Sequence, residues 1–483
     1  MPRPIAKRIT GRQAQSAAVL GAMLMLSACK TFSPDGGMGP VATLASQELN
    51  KDVAAIRSGD DAVAARAAVE RLLKRPLTAD AAVQIALFNN RGLQAAYNAL
   101  GIAEAVMIEA SLPPNPAFSV ARLSSSVEIE FERRIVANIL ALATLPARAD
   151  IAADRFRQAQ LRAAEETLRV AAETRRAYYR AVAGRELGGF LTQAQSAAES
   201  ATQLARRLGE SGAINKLDQA REQVFYADIT AQLASARQRA SSDRERLVRA
   251  MGLWGGDLDF KLPNALPALP RLWNLPFIEV EAIRRRVDLQ VARIELEALA
   301  KSFGLTQATR FVNMLDVVGI DKKVRERETG ATTRSRGFEL EFQIPIFDLG
   351  EVRVRQAEQT YMQAVNRLAE KATNVRSEAR DAYRAYRSTH DIAMHYRREV
   401  LPLRKIISDE TLLRYNAMQI DVFALLAEAR QRISATTTAI EAQRDFWLAA
   451  TNLRVAVVGG GVSGPAGEGP RVVAGGDSAA AGH

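Results

Sequence analysis

Five carboxylates lie in two stretches of alternating sequence: Glu128, Glu130 and Glu132 in the first, Glu339 and Glu341 in the second. Apolar residues fill the places between and beside them: Val127, Ile129 and Phe131, then Phe338, Leu340, Phe342, Ile344 and Ile346. A period of two sends successive side chains to opposite faces of a strand, so each stretch carries one acidic and one apolar face. Two environments produce that pattern. In a water-filled membrane barrel the apolar face meets lipid and the acidic face lines the bore, where a ring of carboxylates favours cations. In a soluble protein the same apolar face packs on a core. The carboxylates could also be spent on cross-strand pairs with Arg122, Arg133, Arg310 and Arg336, which lie nearby in sequence.

Other candidate chemistry is sparse. His390 and His395 are five apart, about 140° around a helix, which does not build a shared metal site. There is no Ser-His-Asp order, no His-Glu-x-x-His pair and no phosphate cradle, since Gly459-Gly460-Gly461 has no helix after it. Tyr178, Tyr179, Tyr383 and Tyr386 recur at helical positions, as packing residues do. No enzymatic activity, metal or cofactor is expected.

The elements that must position the carboxylates come twice. Asn90–Ala96 is similar to Arg286–Ala292, Val127–Glu132 to Phe338–Gln343, and Glu173–Tyr178 to Glu378–Tyr383. Ile214 with Leu217 matches Ile420 with Phe423, and the order is the same in both copies. A repeat of this kind has to be found before a fold is assigned. The first copy, 77–253, reads as a helix over 79–111 capped by Thr78, a strand pair over 118–131, and a helical hairpin over 147–251. Its first arm, 147–208, would be ~90 Å long, which points to coiled-coil packing. A Pro-rich linker, 254–276, leads to the second copy, 277–458. That copy has a helix over 277–303, a strand pair over 310–347 interrupted by a polar insert at 321–336, and a hairpin over 351–457 in which Pro402 should kink the first arm. Ahead of the copies, 31–40 reads as a tether and 47–74 as a helix. The Gly/Ala-rich tail, 459–483, has the composition of a disordered segment.

The chain has 483 residues, with 65 Lys and Arg against 54 Asp and Glu, a net charge of +11. The charges alternate in sign along helices, as on solvated faces, and no zinc spacing or aromatic-basic platform suggests nucleic acid. At the N-terminus, Arg3, Lys7, Arg8 and Arg12 precede an apolar run, Ala17–Leu26, too short to span a membrane. Leu26-Ser27-Ala28-Cys29 follows and resembles a bacterial lipoprotein processing site. The resemblance implies removal of 1–28 and a lipid on Cys29, the only cysteine, which excludes an intrachain disulfide. Lys30 after the cysteine is compatible with the outer membrane. Beyond this segment no apolar run is long enough for a membrane helix, so a membrane role requires strands closed into a barrel. Four strands cannot close one alone, whereas three copies would supply twelve.

As a set, these features resemble the TolC-like outer-membrane efflux family, in its lipoprotein branch. Phe342-Gln343-Ile344-Pro345-Ile346-Phe347-Asp348-Leu349-Gly350 is similar to the family's strand-to-helix junction, and 207–221 and 414–430 to its helix turns. The resemblance implies a mainly α fold with a small β part: duplicated long helical hairpins and four strands per protomer, forming a trimeric twelve-stranded barrel and a helical tunnel across the periplasm. It implies a homotrimer in outer-membrane lipid that docks a periplasmic adaptor and an inner-membrane pump, and it implies a passive duct. It also marks a periplasmic tip at Gly212, Lys216, Asp218, Tyr415, Met418 and Asp421. There are departures. The first junction, Ile139–Pro146, lacks the Phe-Asp-x-Gly ending, and Met418 stands where the family has Gly. Tyr415 matches a tyrosine that locks the tip in some members, but their acidic positions fall on Lys216, Ala424 and Ala427. Asp218 and Asp421 could join another network or simply cap helices. The competing expectation is a lipid-anchored periplasmic coiled-coil scaffold without channel activity.

Overall fold

The computed structural model describes residues 31–461. Cys29, the segment 1–28 and the tail from 462 onward lie outside the described residues. The chain divides into two compact units. One holds the described residues up to Thr43 with Ala95–Ala164 and Leu289–Thr373; the other holds Leu44–Gln94, Glu165–Asp288 and the chain from Asn374 onward.

Before the sheet the helices are α1 (Gly39–Leu49), α2 (Gly59–Leu73), α3 (Ala79–Asn89) and α4 (Arg91–Ser111). The helix expected over 47–74 is therefore two helices. Asn50 takes a left-handed φ of 53° and ends α1, and the Gln94 side chain holds the extended link through Ile56 N and Ala54 O at 2.9 Å each. Ser58 then opens α2 with a capping box to Asp61. Helical periodicity continues across such a break, because side-chain spacing says little about one residue's backbone. The expected tether is also more ordered than its composition suggests. Ser33 N donates to Glu104 at 2.7 Å, and Gln160 donates to the Gly37 carbonyl at 3.0 Å.

The strands β1 (Ala117–Ser124) and β2 (Glu128–Asn138) lead through the short α5 (Ile139–Ala143) into α6 (Leu145–Glu210) and its return α7 (Lys216–Met251). In the second copy the elements are α8 (Ile278–Arg285), α9 (Val287–Ala308), β3 (Leu315–Glu326), β4 (Thr332–Phe342), α10 (Glu351–His395), α11 (Leu401–Asn416) and α12 (Val422–Val458). The first strand pair thus runs on to Asn138 rather than ending at 131. The second pair covers 315–342 rather than 310–347, and the expected polar insert 321–336 is mostly strand. Charged side chains on both faces hid the strands over 321–336, where the alternation is polar against polar, while the apolar run Ile135-Val136-Ala137 has no alternation to read. Between α10 and α11 a π-helical turn, Tyr396–Val400, precedes Pro402. The missing N–H of a proline inside a helix is accommodated there by a local widening of the helix.

The duplication extends to individual hydrogen bonds. Asn90 between α3 and α4, and Arg286 between α8 and α9, share the same extended break, with ψ of 115° and 119°. Each donates its backbone N–H four residues back, to Ala86 and Ala282. Tyr178 donates its hydroxyl to the Leu77 carbonyl at 3.0 Å; its counterpart Tyr383 accepts from Leu275 N at 3.3 Å. Arg175 meets Asp80 at 2.7 Å, as Arg380 meets Glu279 at 3.1 Å. In both copies a tyrosine and an arginine from the long helix therefore pin the start of the short helix pair. Burial pushes the Tyr178 hydroxyl up to about 12, so it stays protonated and able to donate. Around these contacts lies a core of Leu77, Ile85, Val182, Leu247 and Met251, each fully buried.

Candidate channel lining and helix tips

The four strands form one antiparallel sheet in the order β1-β2-β3-β4. β1 and β4 are therefore open edges, and every residue of both is exposed. Paired residues in an antiparallel ladder share a face, so the registers sort the side chains. Glu341 pairs with Asp316, Glu339 with Val318, and Glu132 with Lys322. All five carboxylates, Glu128, Glu130, Glu132, Glu339 and Glu341, fall on one face together with Asp316 and Glu326. Two cations share that face, Arg134 and Lys322. The opposite face carries Phe118, Val120, Ile135, Phe338, Leu340 and Phe342, all exposed, with Phe338 at 84%. Among the described residues nothing covers these side chains.

The carboxylates do not form a single ring. Glu128 opens β2, whereas Glu339 and Glu341 close β4. The registers leave Glu132 and Glu339 two ladder rows apart, ~14 Å along the strands. They form two tiers, Glu128-Glu130-Glu132 toward the hairpins and Glu339-Glu341 toward the helices. The similarity of Val127–Glu132 to Phe338–Gln343 is thus one of pattern and not of structural position. The expected cross-strand partners change as well. Arg122, Arg133 and Arg336 lie on the opposite face, and Arg310 lies outside the strands, 3.6 Å from Glu351. The cations that do reach the acidic face are Lys322, 2.5 Å from Glu130, and Arg134, 2.8 Å from Glu339 and 3.6 Å from Glu132.

The Phe347-Asp348-Leu349-Gly350 junction after β4 has a steric reason. Gly350 sits at φ 79°, and a Cβ there would overlap the Arg310 carbonyl. Asp348 Oδ1 accepts from Gly350 N at 2.8 Å. Arg353 reaches the same Arg310 carbonyl at 3.0 Å, and Arg310 donates to Leu349 O at 3.2 Å. The motif closes the chain tightly between strand and helix. The first copy makes this passage differently, with Asn138 capping α5 through Ala141 N.

The hairpin tips share one turn. After α6, Gly212 N bonds Gly209 O and Ala213 N bonds Leu208 O; after α11, Met418 N bonds Tyr415 O and Gln419 N bonds Arg414 O. This is the Schellman pattern, which needs a left-handed residue after the helix. Gly212 supplies it at φ 75°, and Met418 supplies it at φ 58° despite its side chain. Asp421 accepts from Ala424 N at 2.8 Å as the cap of α12. Asn215 does the same for α7 by accepting from Asp218 N at 2.8 Å. Asp218 itself meets Arg221 at 3.0 Å and accepts from Asn215 Nδ2 at 2.8 Å. Both aspartates are thus engaged in local capping. Lys216 opens α7, and Tyr415 lends its carbonyl to the turn.

A link between the two hairpins lies a few residues from the tips. Glu222 on α7 is 2% exposed and meets Arg430 of α12 at 2.7 Å. The Arg430 guanidinium also stands 4.5 Å over the Phe225 ring, and Arg404 of α11 meets Glu428 at 3.2 Å. Sequence reasoning missed this link. The available signal was the seven-residue spacing of Glu222, Ile229 and Ala236, all buried, which sets a carboxylate on a coiled-coil seam.

No group of metal-ligating side chains occurs among the described residues, and no described helix is long and apolar enough to cross a membrane. His390 lies against Phe446, its Nε2 3.2 Å from the Pro270 carbonyl, while His395 faces Glu399 at 3.1 Å.

Residues 280–407, from α8 into α11, match a family model described as outer membrane efflux protein. The fold is similar to that of solved outer-membrane proteins over about four fifths of the chain. The Campylobacter jejuni CmeC outer membrane channel superposes with a TM-score of 0.66 at 14% identity, over 82% of this chain and 86% of that one. The outer membrane protein VceC of Vibrio cholerae gives 0.64 at 12%, over 83% and 97%. The open state of the Neisseria gonorrhoeae MtrE outer membrane channel gives 0.63 at 16%, over 81% and 89%. At such identities the likeness is one of fold. No curated protein matches the chain by sequence.

Proposed function

We propose that this chain, which has the fold of outer-membrane channels and a segment matching the outer membrane efflux protein family, is the exit duct of an efflux or secretion system. In this reading it is passive: solute crosses through an aqueous bore, and the energy comes from a partner pump in the inner membrane reached through a periplasmic adaptor. The protein works as a homotrimer in outer-membrane lipid, and each protomer donates its four strands to a twelve-stranded barrel.

The observation that carries this reading is the sheet. It has an uncovered apolar face, an acidic face and two open edges. An open edge in lipid leaves unpaired backbone groups at several kcal/mol each, so strands of this kind are stable in a membrane only when closed by neighbours. The acidic face would then line the bore. Seven carboxylates against two cations favour cations, with Glu339 and Glu341 in the tier nearer the helices. Cys29 as a lipid anchor belongs to the same proposal. It precedes Ser33 by four residues in the sequence, and Ser33 is tied to Glu104 in the unit that carries the sheet.

The test is conductance of the purified protein in planar bilayers, with reversal potentials under a salt gradient. Glu339→Ala with Glu341→Ala should lower cation preference while leaving conductance in place. Unchanged selectivity removes the lining role of these carboxylates. A wild-type protein without conductance, and without a stable oligomer, favours a lipid-anchored periplasmic scaffold instead. Cys29→Ser should shift the precursor's processing and loosen membrane attachment.

A further inference from the structure

The outward face of the sheet changes character abruptly. Three ladder rows nearest the helices are apolar: Leu315 with Phe342, Ala137 with Val317 and Leu340, and Phe118 with Ile135, Gly319 and Phe338. The next row, ~7 Å further along the strands, holds Val120, Arg133, Asp321 and Arg336. Beyond it come Arg122, Phe131, Lys323 and Arg334, then Ser124, Ile129, Arg325 and Thr332. Six cations thus share the hairpin half of this face with one carboxylate, Asp321, which Arg334 engages with Nε 2.8 Å from Oδ1. Arg122 lies over the Phe131 ring at 5.4 Å, so it runs along the surface of the sheet. Arg122, Arg133, Lys323 and Arg325 are exposed, as is all of β4.

We infer that this face holds an anionic amphiphile, with its acyl chains along the apolar rows and phosphate groups of its headgroup against Arg133, Lys323, Arg336 and their neighbours. Charge complementarity selects the occupant. A neutral lipid would leave the cations without counter-charge at the edge of the hydrocarbon, and an acidic soluble partner would not cover the phenylalanines immediately below them. Guanidinium groups suit phosphate because they donate two parallel hydrogen bonds. The inference rests on the duct reading, which sets this face toward lipid, and it adds a lipid-headgroup site that the duct itself does not need.

The test uses the full-length protein in neutral detergent, incubated with a diphosphorylated disaccharide acyl lipid or with its phosphate-stripped form. Lipid retained after repurification is counted by mass spectrometry. Wild type should retain the phosphorylated form at least about tenfold better. Each basic residue at such a surface is worth about fivefold, so Arg133→Gln/Lys323→Gln/Arg336→Gln should lower retention by about a hundredfold. Arg133→Lys/Arg336→Lys, which keeps the charge, should retain most of it. Equal retention of the two lipids by wild type overturns the inference without reference to any variant. Displacement by free pyrophosphate as effective as by the phosphorylated lipid overturns it in favour of a simple anion site. Conductance of the same preparation is read separately. A conducting wild type with no lipid preference sinks this inference alone, and a protein without conductance sinks the duct.

Discussion

Removing Arg430 should loosen the hairpin tips and nothing else. Its partner Glu222 is 2% exposed, and the pair is 2.7 Å apart. With charge centres ~4 Å apart and an effective dielectric near 20, the attraction is about 4 kcal/mol. Desolvation of Glu222 offsets part of it. Losing one partner of a fully buried pair costs about 3–5 kcal/mol, because the other charge stays buried. The Arg430 side chain is 35% exposed, which places the cost of Arg430→Met nearer 2–3 kcal/mol. By the usual conversion, local opening should become about 30- to 150-fold more frequent. Hydrogen exchange on the purified full-length protein reads this directly. Amides of α7 near Glu222 and of α12 near Arg430 should exchange faster, while those near Leu247 and Phe446 stay as they were. The double variant Glu222→Met/Arg430→Met removes the stranded charge along with the pair and should recover most of the protection. Tip exchange unchanged in Arg430→Met, or a double variant as loose as the single, would refute the clamp.

Three further outcomes follow from the same geometry. Gly350→Ala must place a Cβ on the Arg310 carbonyl at φ 79° and should cost about 3 kcal/mol or more, seen as a lower melting temperature. Met418→Gly should raise stability at the second tip by about 1 kcal/mol, since φ is 58° and the methionine side chain is 94% exposed and buries little; an unchanged or lower exchange protection of α11 would count against the Schellman assignment. Burial alone would raise the Asp154 carboxyl, but hydrogen bonds from Lys301 and Arg157 hold it below its ordinary value. A depressed carboxylate contributes stability that is present above its unfolded pKa of about 3.9 and lost as pH falls through the folded value. The stability gap between wild type and Asp154→Asn should therefore be open at neutral pH and close below about pH 4.

Where packing and chain direction write themselves into residue types, the sequence was readable. The repeat of Asn90–Ala96 in Arg286–Ala292, the paired tyrosines Tyr178 and Tyr383, and the long arms 147–208 and 213–251 follow from helical period, Pro and Gly, although the expected single helices over 79–111 and 277–303 are each broken, at Asn90 and Arg286. The five carboxylates share a face because a period of two leaves no other choice. Register was not readable. Alternation says which face a residue takes and nothing of its height on the sheet, so Glu130 and Glu341 looked equivalent while lying near opposite ends of it. For the same reason Arg122, Arg133 and Arg336 looked like partners of the carboxylates, although the ladder puts them on the other side. Backbone breaks carried by single polar residues, as at Asn50, were equally invisible to periodicity.

The misread segment 321–336 is informative for a physical reason. A strand that packs on a soluble core is apolar along the whole covered length, whereas these strands lose their apolar side toward the hairpins and remain paired throughout. Hydrogen bonding therefore extends beyond the apolar face, and the ladder there is flanked by charge on both sides: Glu128, Glu130 and Glu132 on one face, Arg133, Lys323 and Arg325 on the other. Such a segment gains little from burial, and its two sides carry opposite charge. Acid turned inward and base turned outward suit a wall between an aqueous bore and an anionic surface. They do not suit a hairpin standing free in water, which would gain nothing from sorting its charges by side. That sorting, more than the presence of any one glutamate, is why the strands are read as part of a duct.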